Sequence, residues 1–233
     1  MKIHHFDAGT MRPYGAKFLR GRGGWLESAK LVTHCLLLET DSRLILVDTG
    51  FGRDDMRNPD QFPALTRWGL QPTFDPDGTA HRTLEKRGYE PRDVDDILLP
   101  HLDLDHAGGL PDFPEATVHL LAPEWEAARS PGWFDRLRYV ERNWDHDPDW
   151  NPVTAGDEEW FGFPSTKPLG RDGPELHLVS LPGHTAGHAG VAVPTDEGWL
   201  LHCGDAYFDV RETQSPPERP MGLSVFQRVL SYD

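Results

Sequence analysis

Apolar and β-branched residues recur in short segments divided by turn residues through the first half of the chain, beginning at residues 3–7 and continuing over Leu31–Glu39 and residues 43–47. These segments predict strands. Asp41-Ser42 lies between the last two, where a hairpin connection fits. Asp48-Thr49-Gly50-Phe51-Gly52 follows, with the small and acidic residues that let a chain turn sharply at a sheet edge. Residues 53–78, rich in Pro and Asp, read as an irregular excursion.

Thr79 suits the N-cap of a helix running through Arg87, with Gly88 placed to end it, and residues 91–94 give a further short turn. The apolar segment Ile97-Leu98-Leu99 then predicts a buried strand that delivers the chain to His101. Another strand is expected over residues 118–122, followed by a helix with Pro123 at its first position. Residues 130–175 are dense in Trp, Pro, Asp and Gly without sustained periodicity, and are expected to form an insertion or lid. Strand signals return at residues 176–181, 189–193 and 199–203. No linker or internal repeat divides the chain, so one domain over residues 1–233 is expected, roughly the 200 to 250 residues a single core can support.

Composition narrows the function classes. Hydrophobic residues at 37% and charged residues at 26% form an ordinary globular mixture, which argues against disorder. The formal net charge of -15 opposes a polyanionic partner, because nucleic-acid binding draws on Lys and Arg contacts to phosphate. Cys35 and Cys203 are the only cysteines and read as core thiols rather than a disulfide scaffold. The N-terminus lacks the apolar stretch of a signal peptide, and no run approaches the roughly 20 apolar residues of a membrane span. A soluble cytoplasmic protein with no membrane partner is expected.

Three clusters carry chemistry. The first is His101-Leu102-Asp103-Leu104-Asp105-His106, in which four side chains of metal-ligating type crowd one tight loop before Ala107-Gly108-Gly109. Imidazole nitrogen and carboxylate oxygen on such a loop can supply two neighbouring ions, the competing reading being a solvated acidic turn. The second is Pro182-Gly183-His184-Thr185-Ala186-Gly187-His188, where His184, nearest the strand end, is the ligand candidate and His188 a supporting residue. The third is Gly204-Asp205 after an apolar strand, weak alone, although a carboxylate there has two oxygens with which to bridge cations.

Taken with Val47-Asp48-Thr49-Gly50, these clusters occur in an order that resembles the metallo-β-lactamase-fold superfamily, and within it the N-acyl-homoserine-lactonase-like branch, over roughly residues 31–205. The resemblance implies a four-layer αββα sandwich of two mixed sheets, with the site along the edge between them. It implies two divalent metal ions, zinc first, with His101, Asp103 and His184 on one, Asp105 and His106 on the other, Asp205 bridging and Asp48 supporting the site from beneath. Two departures stand out. Asp103 occupies a position that is usually His in the family, and its harder oxygen ligand opens the site to iron or manganese. The family also supplies a further His from a C-terminal loop, whereas no His follows His202 here. With an apparent helix over residues 224–230 just before the end, the native protein is expected to continue past Asp233, the alternative being a weak second site.

The expected reaction is attack of metal-activated water on a carbonyl carbon, opening a lactone or cleaving a related ester or thioester. Asp105 or Asp205 would pass a proton to the leaving alkoxide, and Tyr207 would hydrogen-bond the carbonyl oxygen or else pack at the sheet edge. Aromatic residues around Trp68 and Phe74, and from Trp133 to Trp150, are expected as walls for a small acyl substrate, or as loop packing. The rival readings are a phosphodiesterase or nuclease, which the acidic balance disfavours, and a degenerate, non-catalytic metal-binding member.

Overall fold

The computed structural model describes residues 1–214 apart from 63, 134 and 171–172. Leu36, Leu38, Ile45, Val47 and Leu98 point one way, and Cys35, Leu37, Leu46 and Ile97 the other, all of them wholly buried. This explains why residues 31–47 read as continuous apolar runs: the sheet they build is covered on both faces. Each such leucine contributes about 1.5–3 kcal/mol by leaving water.

Among the described residues that sheet has six strands in sequence order: β1 (Lys2–Met11), β2 (Leu31–Glu39), β3 (Leu44–Val47), β4 (Asp96–Leu98), β5 (Thr117–Leu121) and β6 (Asp149–Val153). β1 to β3 pair antiparallel and β3 to β6 parallel. A second sheet contains, among the described residues, β7 (Glu158–Trp160), β8 (Phe163–Thr166), β9 (His177–Ser180), β10 (Ala189–Thr195) and β11 (Gly198–His202). Every pair described in it is antiparallel, so only the first sheet is mixed, where two mixed sheets were expected. Leu178, Val191 and Val193 of the second sheet pack on Leu36, Leu38 and Ile45 of the first, forming the inner layer.

Six helices accompany the sheets among the described residues: α1 (Ala16–Arg20), α2 (Arg53–Arg57), α3 (Ala64–Leu70), α4 (Ala80–Lys86), α5 (Leu104–Ala107) and α6 (Ala122–Arg129). α4 carries the expected Thr79 cap, whose hydroxyl accepts from the Arg82 N–H. α6 begins one residue before the expected Pro123, which is its second residue. None of the described helices is long and apolar enough to cross a membrane.

Two expectations need correction. The excursion at 53–78 contains α2 and α3, helices of 5 and 7 residues that are too short to show a period. The stretch 130–175 is not wholly a loop, since it supplies β6, β7 and β8. Pro152 disguises β6, yet among the described residues β6 pairs with β5 alone and lies at the sheet edge, where a missing N–H costs no ladder hydrogen bond. Among the described residues the part before β6 stays irregular, with 3-10 turns at Asp135–Leu137 and Glu141–Asn143, and so does the run after β8. The helix expected at 224–230 lies outside the described residues.

Asp55 of α2 gives this half of the fold a pH signature. Its buried carboxylate accepts from the Gly52 N–H at 3.1 Å and from Arg142 at 2.5 Å. Burial pushes it up to about 6, against those two donors. A carboxyl raised on folding contributes stability that is present below its unfolded value and lost as pH rises through about 6. Asp55→Asn should therefore flatten the wild-type decline between pH 4 and 7 by ~2–3 kcal/mol, read by urea denaturation at both ends. Parallel profiles for the two proteins would refute this.

Candidate metal centre

Each cluster singled out in the sequence sits just past a strand end. His101 follows β4, Asp103 precedes α5 at its N-cap, and Asp105 and His106 lie on that single helical turn. His184 lies between β9 and β10, and Asp205 lies in the 3-10 turn Gly204–Ala206 after β11. The turn after β3 supports α5 from below. A Cβ on Gly108 would fall 2.4 Å from the Asp55 carboxylate, 2.7 Å from the Leu104 carbonyl and 3.1 Å from the Gly50 carbonyl, so the packing there leaves no room for a side chain.

The side chains form two adjoining cages. Around the first, His184 Nε2 lies 3.1 Å from Asp103 Oδ2 and 3.4 Å from Asp205 Oδ2, while His101 Nε2 lies 3.7 and 3.9 Å from the same two oxygens. Around the second, His106 Nε2 lies 3.7 Å from Asp105 Oδ2 and 3.5 Å from Asp205 Oδ1. Asp205 thus turns one oxygen to each cage. Ligands at about 2.0–2.2 Å from a tetrahedral zinc stand about 3.3–3.6 Å apart, which these edges bracket. His101 is fully buried and, among the described residues, neither of its ring nitrogens has a hydrogen-bond partner, a cost that a cation on Nε2 would offset. The donor set fits a divalent cation, and His101, His184 and Asp205 alone already converge within 4.8 Å.

Neighbouring groups hold these ligands in place. Asp48 Oδ2 accepts from His106 Nδ1 at 2.5 Å, which leaves Nε2 free to face the cages. Asp48 itself adopts φ 68, with Oδ1 accepting from the Gly50 N–H. His188 donates Nδ1–H to the Leu181 carbonyl and accepts the Asp205 N–H at Nε2, so both nitrogens are engaged and it positions Asp205 as a supporting residue. Burial, with His184 adding, pulls His188 down to about 4, which keeps it a neutral acceptor.

The charges respond to burial and to each other. Burial pushes His101 down. Asp103 is held below the usual carboxylate range because the Arg138 and His101 charges outweigh burial. Burial, with Asp205 and Asp103 adding, raises Asp105 to about 6, whereas Asp205 is held low by His106 against its burial. His106 is raised, Asp48 and Asp205 overcoming its burial.

Two charged residues of the centre carry no motif. Glu124, fully buried in α6, accepts the Leu102 N–H at 2.9 Å on one oxygen, and the Thr185 hydroxyl at 2.5 Å and the Gly187 N–H at 3.2 Å on the other. It therefore joins the His101 loop to the His184 loop. A Cβ on Gly187 would lie 2.0 Å from the Glu124 nitrogen, which explains the glycine. Arg138 reaches in from the irregular segment and binds Asp103 with two hydrogen bonds, of 2.9 and 2.7 Å. Only its position, inside the expected lid, could have hinted at this.

The cages open on a cavity of about 1000 Å³ whose apolar wall includes Leu104, Leu137, Leu200, Leu201 and Phe208. Tyr207, 43% exposed, also lines it, as do His5, His34 and His202, whose rings stack with centroids 5.2 and 5.4 Å apart. Of the expected aromatic walls, Trp68 alone lines it among the described residues. Phe74 packs edge-on against Phe62, and Trp150 lies against Trp125 in the core, with centroids 4.3 Å apart.

The chain matches the family model described as the metallo-beta-lactamase superfamily over residues 29–224. It is 40% identical over 234 residues to a probable metallo-hydrolase of Mycobacterium tuberculosis, covering 100% of this chain and 71% of that protein. It is 29% identical over 169 residues to an N-acyl homoserine lactonase of Bacillus cereus, covering 72% of this chain and 60% of that one. Among solved structures, an N-acyl homoserine lactone hydrolase with the product N-hexanoyl-L-homoserine bound at its catalytic metal center aligns with a TM-score of 0.70 at 24% identity, covering 98% of this chain and 86% of that one.

Proposed function

The chain belongs to the metallo-beta-lactamase superfamily and is a metallo-hydrolase of that fold, and from this premise we propose that it opens a lactone ring or cleaves a related ester or thioester. The observation that carries the reading is the pair of cages sharing Asp205 at the floor of a large, mainly apolar cavity. His101, Asp103 and His184 would hold one divalent ion, Asp105 and His106 a second, and Asp205 both, with zinc favoured by the imidazole donors. Ions bound there lower the pKa of a water to about 7 and polarise a carbonyl.

The chain's own groups do the rest. Asp48 and His188 fix the orientation of His106 and Asp205. Asp105 carries the proton to the leaving alkoxide, and the Tyr207 hydroxyl donates a hydrogen bond to the carbonyl oxygen as it becomes negative. The leucine wall seats an acyl chain and keeps bulk water from it. An N-acyl homoserine lactone, the substrate class of the lactonase relatives, fits this chemistry.

Zinc-loaded protein should hydrolyse N-acyl homoserine lactones with kcat/KM on the order of 10⁴ M⁻¹ s⁻¹ or more, and bis(p-nitrophenyl) phosphate far more slowly. A preference for the phosphodiester would overturn the reading.

A further inference from the structure

Arg138 stands where the first cage needs its lone pairs. Its Nε donates to Asp103 Oδ1 at 2.9 Å, while its Nη2 lies 2.7 Å from Asp103 Oδ2 and 2.9 Å from His184 Nε2. Those last two atoms are the ones that face His101 and Asp205 across the cage. An imidazole Nε2 has one lone pair in its plane, and it serves a guanidinium hydrogen or a metal ion, but not both. The guanidinium cannot be neutralised by losing a proton, so it leaves the cage edge only by moving.

Resting on the metal-centre reading above, we propose that Arg138 competes with a divalent ion for the cage of His101, Asp103 and His184 and so weakens metal binding there. Metal entry breaks the Nη2 contact with His184 and leaves the guanidinium on Asp103 Oδ1, at the mouth of the cavity. The same geometry accounts for the aspartate at 103. A cation 13% exposed and wedged against His184 needs an anion, and Asp103 receives both arms of its fork. A histidine at 103 would leave the cation facing imidazoles. Asp103 and Arg138 are therefore one unit, and Arg138 is a positioning residue that acts through the metal ligands.

Competition titration of metal-free protein with zinc against a chromophoric chelator tests this. In a His106→Ala background, which leaves the first cage as the main site, Arg138→Met should raise zinc affinity at least tenfold. Arg138→Gln, which keeps a hydrogen-bond donor for Asp103 without the charge, should give a similar gain, while Arg138→Lys stays within about threefold of its parent. Asp103→His alone should lose at least tenfold, and adding Arg138→Met should restore most of it. Cobalt loading gives a second readout, since the visible band reports the ligand cage itself. Unchanged or weaker zinc binding in both neutral variants would overturn the competition, showing that Arg138 only clamps Asp103. No zinc uptake by the wild-type protein would overturn the metal-centre reading together with this inference.

Discussion

Asp205→Asn is expected to reduce lactone hydrolysis by on the order of 10³-fold and to strip both ions from the centre, whereas His101→Ala loses mainly one. The difference follows from geometry. Asp205 Oδ2 lies 3.4 Å from His184 Nε2 in the first cage, and Asp205 Oδ1 lies 3.5 Å from His106 Nε2 in the second. An asparagine keeps the shape but replaces one oxygen by an NH2 that cannot ligate, and it removes the negative charge shared between the cages. His101 faces the first cage alone, 3.7 Å from Asp103 and 3.9 Å from Asp205. Elemental analysis of gently purified proteins, with circular dichroism to confirm folding, reads the contrast directly. Full metal content and activity in Asp205→Asn would remove the bridging role.

The parts of the molecule that could be read from the chain are those whose cause is local. Leu31–Glu39 is a strand because its own residues alternate between two buried faces, and Thr79 caps a helix through its own hydroxyl. The candidate ligands were legible for a related reason: each lies within a few residues of an apolar strand that aims it. Partners from distant segments were not. Glu124 lies 61 positions from Thr185 and Arg138 lies 35 from Asp103, and no spacing rule connects them. Tryptophan density near residue 150 left a cavity wall and loop packing both open, and Trp150 packs, partly buried, on Trp125 against the core, because an aromatic ring serves a core as readily as a pocket.

Glu124→Leu is expected to destabilise the protein by ~3–5 kcal/mol, the larger of the stability effects, and to loosen the centre without touching a ligand. Leucine approximates the volume but leaves the Leu102 N–H, the Thr185 hydroxyl and the Gly187 N–H buried without an acceptor. Each unmet donor costs about 1–3 kcal/mol, and partial relaxation of the loops recovers some of the sum. Burial raises the Glu124 pKa against its three donors, so part of the wild-type gain is already spent on desolvating the carboxylate, which keeps the expected loss below the full total. Glu124→Gln retains an acceptor for some of these groups and should lose less than half as much. For a protein of this size the leucine variant should melt roughly 10 °C lower, and added zinc should recover part of the shift because bound metal also ties His101 to His184. A loss below about 1 kcal/mol in Glu124→Leu would mean that the two ligand loops hold their positions independently of α6.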